Sequence, residues 1–200
     1  MNLHVFLALE GFFYAVCGEF KTFYNMSHIG CTIDYIPMIE KGIIEFFASF
    51  FLWIMFAGVF VLWIYDKRSL SLHDGKIKKE EAIHALFAGV IAWIIAWVIK
   101  SIFPIERPFQ LNGKEAFVLF SLTNGAFPSG HAATAFAMAW TIFRHDRKMG
   151  AIYLLSAFAV GISRVLANIH YPIDVLAGGI LGIGISHLVQ KIHFRKRVDF

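Results

Sequence analysis

The sequence predicts an all-α fold, a polytopic transmembrane helical bundle, and two properties of the chain support that prediction. Hydrophobic residues make up 58% of the 200 residues and charged residues only 16%, against roughly 25% charged residues in soluble domains. The apolar residues also gather into runs close to the roughly 20 residues that a helix needs to cross a bilayer. Helices are the expected form because lipid cannot satisfy backbone polar groups, and no alternating strands of about ten residues occur.

Five apolar segments are predicted to span the membrane. The clearest runs from Phe46 to Tyr65 and holds no charged residue. The others run from Ala82 to Ile99, from His131 to Phe143, from Ala151 to about Leu166, and from Val175 to Val189. The chain has no internal repeat and no linker rich in Pro, Gly or Ser. We therefore expect a single domain over residues 1–200, with a transmembrane core at 46–190 and an N-terminal segment at 1–45.

The N-terminal segment allows two interpretations, an interfacial helix or a spanning helix. Leu3–Phe20 is apolar enough to insert, but Glu10 and Glu19 lie within it, and a buried charge costs about 2.5–3.5 kcal/mol. This cost favours a helix that lies in the interface over a sixth spanning helix. Cys17 and Cys31 match no metal-ligand spacing, and they could pair only if the segment faces an oxidising compartment.

Basic residues predict the orientation of the bundle. Twelve of the 18 lie in alternate loops, at 67–79, 144–148 and 191–197. The positive-inside tendency makes that side cytoplasmic. The opposite ends of the helices would then face the periplasm or cell exterior from the inner (plasma) membrane. The basic residues form short clusters rather than a face with exposed aromatics, so lipid headgroups are the expected partner and nucleic acid is not.

Three polar clusters interrupt the apolar pattern, and all three fall on the predicted outward side. They are Lys100 with Arg107 and Pro108; Pro128-Ser129-Gly130-His131; and Ser163-Arg164 followed by His170 and Asp174. Arg164 is the most informative, since an unpaired guanidinium at membrane depth is expensive. The clusters therefore indicate a site for an anion.

Phosphate is the anion that fits these residues. Arg side chains bind phosphate oxygens bidentately, and Lys supplies a point charge. Ser129 is a good N-cap, and Gly130 lets a ligand approach the backbone where a helix begins with free N–H groups. No His, Asp or Glu set has the spacing of divalent-metal ligands, so we expect neither a metal nor another cofactor.

The two histidines predict phosphoryl transfer. His170 is the better nucleophile because Asp174, four residues on, could keep one ring nitrogen protonated and leave the other free to attack. His131, at a helix start, is the better general acid for the departing oxygen. Stabilisation of the transition-state charge would come from the cations and the helix N-termini.

The three clusters resemble, in order and spacing, the signature of the type 2 phosphatidic acid phosphatase superfamily over about residues 82–190. The resemblance implies a lipid phosphatase with a phosphohistidine intermediate, in which His170 is the nucleophile, His131 the general acid and Asp174 the orienting residue. It also implies five phosphate-binding residues: Lys100, Arg107, Ser129, Gly130 and Arg164. The Glu106–Phe109 and His170–Asp174 stretches are similar to bacterial undecaprenyl-diphosphate phosphatases of the bacitracin-resistance type.

The sequence leaves alternatives open for the substrate and for the class of protein. Undecaprenyl diphosphate is expected from the subfamily likeness, with phosphatidylglycerophosphate or phosphatidate as the alternative. A lipid flippase would also place charges in the membrane, but typically at the midplane and with repeats. A lipid-binding scaffold would need the cations but not two histidines and an orienting aspartate. The sequence does not indicate an oligomeric state.

Overall fold

A computed structural model of the chain describes residues 38–64, 79–118 and 124–196, and all regular structure within them is helical. This confirms the predicted all-α fold for the described ranges. The helices are α1 (Met38–Ser49), α2 (Phe51–Ile64), α3 (Lys79–Ile102), α4 (Pro108–Asn112), α5 (Gly130–His145), α6 (Arg147–Leu166) and α7 (Pro172–Lys196). The Leu3–Phe20 segment, the Cys17–Cys31 pair and the basic loop at 67–78 lie outside these ranges.

Three helices in the described ranges are long and apolar enough to cross a bilayer: Glu81–Ile102 in α3, Arg147–Leu166 in α6 and Pro172–Lys191 in α7. The α1–α2 pair would make a fourth span if it is counted as one. Helix α5 has 16 residues, which is about 24 Å at the usual rise per residue and short of the roughly 30 Å hydrocarbon core. The predicted number of five or six spans therefore stays a prediction.

The segment predicted as one uninterrupted helix from Phe46 to Tyr65 is divided in the structure. A helix already begins at Met38, and the chain bends by 48° around Phe50. The two halves pack on different partners, which explains the bend. Helix α1 packs on α6 and on the turn after it, where Ile44 and Ala48 join a buried cluster, whereas α2 packs mainly on α3.

Helix α5 is the centre of the bundle, and small side chains let its neighbours approach closely. Alanines of α3 pack against Ala133 and Ala137 of α5. From α7, a Cβ at Gly178 or Gly182 would collide with the backbone oxygens of Ser129 and Ala133. Close packing of small residues is the usual means of helix association in lipid. The glycine spacing on α7 therefore serves helix packing.

The bundle has two chemically different ends. At one end, which we call the site end, the last turns of α3 and α6 meet the first turns of α5 and α7; the backbone N–H of Ser129 donates to the backbone oxygen of Asp174 at 2.9 Å. We call the other end the opposite end; there, His145 of α5 lies 3.3 Å from Glu81 of α3. Four helix ends from distant parts of the sequence thus build the site end.

Candidate active site

The first turn of α5 forms the floor of the site. Ser129 is the N-cap, and its buried hydroxyl accepts from the backbone N–H of Ala132 at 3.5 Å. A Cβ at Gly130 would meet Trp93 of α3 no closer than 3.5 Å, which is ordinary van der Waals contact. Packing therefore does not require glycine at position 130. The start of a helix carries free backbone N–H groups, which favour an anion nearby.

His170 lies between a carboxylate and a guanidinium. Its Nδ1 is 3.4 Å from Oδ2 of Asp174, which also accepts from the backbone N–H of Tyr171 at 2.9 Å. Its Nε2 is 3.5 Å from Nη1 of Arg107. A guanidinium only donates, so the tautomer that suits both neighbours carries its proton on Nδ1 and leaves Nε2 unprotonated, with its lone pair facing Nη1 of Arg107.

The electrostatic surroundings of His170 keep its ring neutral. Burial lowers its pKa well below the ordinary value, and the positive charges of Arg164, Lys100 and Arg107, together with His131, lower it further. A neutral imidazole with an unprotonated Nε2 is the form that a nucleophile requires.

Arg107 is held by the backbone of two loops. Its Nε donates to the oxygen of Asn124 at 2.9 Å, Nη1 to that of Ile169 at 2.9 Å, and Nη2 to that of Gly125 at 3.2 Å. Burial lowers the pKa of the guanidinium, and Asp174 opposes this effect. The carbonyl partners fix the plane of the guanidinium, so its direction towards His170 is set by the protein itself.

Lys100 lies in the last turn of α3, and its ammonium group reaches the same loop. Nζ donates to the backbone oxygens of Gly125 at 3.0 Å and Ala126 at 3.2 Å. Gly125 therefore accepts from Lys100 and Arg107 at once. An ammonium group has three donors, so one remains for a phosphate oxygen.

Arg164 approaches the site from the last turn of α6. It is buried, and its Nη1 donates to the backbone oxygen of Ala48 at the end of α1. Its buried Nε has no hydrogen-bond partner in the described part of the chain. A buried guanidinium that keeps a donor unused is suited to bind an anion, because desolvated charge is costly until it is paired.

His131 is half-buried in the first turn of α5. It lies within electrostatic range of Arg164, Lys100 and Arg107, and of His170. The structure therefore gathers all eight residues that the sequence predicted for the site. Their roles in catalysis and binding remain proposals.

Sequence reasoning missed three partners of these residues: Ala48 beside Arg164, and Asn124 and Gly125 beside Arg107. All act mainly through backbone oxygens, which every residue possesses, so no side-chain pattern marks them. Asn168, two positions before His170, is different. It has a φ of 61°, and Asn is one of the few residues that tolerate this conformation, which is a weak sequence signal.

Within the described ranges, no group of three or more His, Cys, Asp and Glu side chains could hold a metal ion. The cations and the helix N-termini supply the positive charge of the site instead. This arrangement suits phosphoryl transfer by positioning and electrostatic stabilisation.

Comparison with known proteins identifies the family. Residues 81–197, more than half of the chain, match the PAP2 superfamily. The chain belongs to the PAP2 superfamily. The match covers α3 to α7 and every residue of the predicted site, and it leaves α1 and α2 outside.

Relatives and a solved structure extend the PAP2 match. The chain is 30% identical over 141 residues to the bacitracin transport permease protein BcrC of Bacillus licheniformis, covering 70% of this chain and 66% of that protein. It is 27% identical over 191 residues to the undecaprenyl-diphosphatase of Sulfolobus acidocaldarius, covering 95% and 88%. The crystal structure of Aquifex aeolicus LpxE superposes with a TM-score of 0.63 at 25% identity, covering 79% and 88%.

Membership of the PAP2 superfamily makes this protein a lipid phosphatase and confirms the prediction of an enzyme. The predicted phosphatidic acid phosphatase likeness is confirmed as well. The apolar helices agree with a membrane protein. The substrate, the orientation in the membrane and the extent of the domain are not decided by these findings.

Proposed function

We propose that the protein hydrolyses undecaprenyl diphosphate, or a closely similar polyprenyl diphosphate, and releases inorganic phosphate through a phosphohistidine on His170. The observation that carries the catalytic part is the placement of His170, with Nδ1 facing Asp174 and Nε2 facing Arg107. The name of the Sulfolobus relative supports the polyprenyl substrate.

In this proposal, the terminal phosphate binds between the cations and the helix starts. Lys100 offers an ammonium donor, Arg164 its unused Nε, and Arg107 the edge of its guanidinium next to the nucleophile. The N–H groups at the start of α5, capped by Ser129 and open at Gly130, add partial positive charge. No metal is required, because these donors neutralise the charge that spreads over the phosphoryl oxygens.

The first chemical step transfers the phosphoryl group to the enzyme. The lone pair on Nε2 of His170 forms a bond to the terminal phosphorus, and the bond from that phosphorus to the bridging oxygen breaks. His131 donates a proton to that oxygen, so the lipid leaves as a monophosphate. Asp174 accepts from Nδ1–H and stabilises the positive charge that develops on the ring of His170.

The second step returns the enzyme to its starting state. A water molecule loses a proton to the now neutral His131 while its oxygen attacks the phosphorus. The bond between phosphorus and Nε2 of His170 breaks, and inorganic phosphate is released. His131 is again protonated and His170 neutral, so protons and charge balance over the cycle.

The substrate test compares lipids directly. Purified enzyme in detergent should release phosphate from undecaprenyl diphosphate with a higher kcat/KM than from phosphatidylglycerophosphate or phosphatidate, and His170→Ala should release none from any of them. Faster release from a diacylglycerol phosphate would replace the polyprenyl substrate and leave the phosphatase mechanism intact. Phosphate release by His170→Ala would contradict the mechanism.

We further propose that the site end faces the periplasm or cell exterior, because the exposed basic residues of the α5–α6 connection lie at the opposite end. A cysteine at Glu115, in the loop before α5, should react with a membrane-impermeant thiol reagent in intact cells. A cysteine at Lys148 should react only after the cells are opened. The reverse pattern would place the site on the cytoplasmic side.

A further inference from the structure

The three residues before His170 are bound through consecutive backbone oxygens to the segment 107–117. Ala167 accepts from the backbone N–H of Phe117 at 3.0 Å, and Asn168 accepts from that of Phe109 at 3.1 Å. The oxygen of Ile169 accepts from Nη1 of Arg107. The loop that carries His170 therefore runs along the segment 107–117, of which only Arg107 is assigned to the phosphate site.

One pair of side chains joins the same two segments. Nδ2 of Asn112 donates to Oδ1 of Asn168 at 2.8 Å, and Nδ2 of Asn168 donates back to Oδ1 of Asn112 at 3.2 Å. Nδ2 of Asn168 also lies 3.4 Å from the backbone oxygen of Glu115, and Oδ1 of Asn112 accepts from the backbone N–H of Lys114. Asn168 is buried and Asn112 is exposed, so the pair links the surface of the protein to the buried turn before His170.

We propose that Asn112 and Asn168 form an amide clamp that positions His170 for attack on phosphorus. The inference rests on the proposed function, because it assigns a positioning role relative to a nucleophile at His170. The clamp touches neither the substrate nor the reacting atoms. It acts through the backbone: Asn168 is held in a left-handed conformation two residues before His170, and any rotation there redirects the imidazole.

The clamp matters because both interactions of the His170 ring are long. Nδ1 is 3.4 Å from Asp174 and Nε2 is 3.5 Å from Arg107, so neither neighbour alone locks the ring. Orientation must come from the backbone that carries it. Misplacement of a reacting group by about 1 Å can cost on the order of 100-fold in rate.

Two substitutions separate the clamp from the backbone conformation. Asn168→Gly keeps the left-handed conformation, which glycine adopts freely, but removes the amide. Asn112→Asp keeps an oxygen that accepts from Asn168 and Lys114 but removes the donor to Oδ1 of Asn168. Asn168→Gly should therefore break the clamp and keep the turn. Asn112→Asp should keep one of the two side-chain hydrogen bonds of the clamp.

The experiment measures kcat and KM for a soluble aryl phosphate, together with Tm, for both variants and for Asn112→Ala. We expect Asn168→Gly and Asn112→Ala to lower kcat about 10- to 100-fold with KM changed by less than about twofold. Asn112→Asp should recover part of kcat. The double variant Asn112→Ala with Asn168→Gly should be no slower than the slower single variant, since the two amides act as one unit.

A wild-type kcat in Asn168→Gly would overturn the clamp. It would also be overturned if the fold losses in kcat of the two single variants multiplied in the double variant. A rise in KM at constant kcat would overturn it too, because it would place the amides in substrate binding. The proposed function is judged separately by His170→Ala. If that variant is inactive while Asn168→Gly is fully active, only the clamp fails; if His170→Ala turns over substrate, the proposed function itself fails.

Discussion

The two ends of the bundle differ in the exposure of their positively charged side chains. At the site end, Lys100, Arg107 and Arg164 are only 8%, 2% and 3% exposed, and backbone oxygens hold all three. At the opposite end, Arg144 and Arg147 are exposed. Arg147 lies over an aromatic ring, 4.8 Å from its centre, and Arg144 contacts a histidine.

We therefore expect different roles for the buried cations of the site end and the exposed cations of the opposite end. Exposed basic residues at a membrane surface need no special partner, since water and lipid headgroups solvate them. Desolvation of three cations near one another costs several kcal/mol per ion, which backbone dipoles offset only in part. A fold that keeps such a cluster is prepared for an anion, so substitutions at the site end should affect catalysis and those at the opposite end should not.

The largest contrast is expected between two histidines, His131 at the site end and His187 at the opposite end. His131→Ala should lower kcat about 100- to 10,000-fold for a substrate with an alcohol leaving group, because the proton donor is lost. The loss should be smaller for an aryl phosphate, because its aryloxide leaving group departs without needing a proton. His187→Ala should turn over both substrates at wild-type rates. Equal losses in the two variants, measured by phosphate release, would contradict the assignment of His131.

Two arginines give the next contrast. Arg164→Ala removes a buried donor from the transition state and should lower kcat/KM about 100- to 1,000-fold, whereas Arg144→Ala removes an exposed cation and should leave kcat/KM within about twofold. Steady-state phosphate release measures both, and Tm checks that each variant folds. A similar small effect in both variants would mean that Arg164 serves only to hold the end of α1.

The contrast also shows what the sequence could predict. Apolar runs located α3, α6 and α7, because spanning helices follow directly from hydropathy. The site residues were predictable since Arg164 and His170 are conspicuous in an apolar chain. The sequence could not predict the bend at Phe50 or the contact of Arg164 with the backbone oxygen of Ala48. They depend on packing between segments far apart in sequence, and neither Phe50 nor Ala48 differs in type from its apolar neighbours.

The protonation state of His170 allows a sharper test of the site end. Because burial and nearby cations lower its pKa, the ring should stay neutral as the pH falls through the ordinary value of 6.5, and it should gain a proton only well below that pH. Nitrogen-15 NMR of labelled histidines, with His170→Gln for assignment, should show the Nδ1–H tautomer at pH 6.5. A protonated ring at that pH, or a proton on Nε2, would refute this description of the nucleophile.

Removal of metal ions should have no effect on catalysis. The donors assigned to the phosphate are Lys100, Arg107, Arg164 and the helix start at Gly130, so EDTA should leave kcat and KM unchanged. Vanadate should inhibit competitively as a mimic of the transition state. Loss of turnover in EDTA, restored by Mg²⁺, would show that the cations at the site end are insufficient.

The most direct test of the central claim is to trap the phosphoenzyme. Wild-type enzyme mixed with substrate labelled on the terminal phosphate, and quenched within one turnover, should carry an acid-labile label on the peptide that contains His170. His170→Ala should carry none, and His131→Ala should still carry it when the leaving group is activated. Label on any other residue, or label trapped in His170→Ala, would contradict the assignment of His170 as the nucleophile.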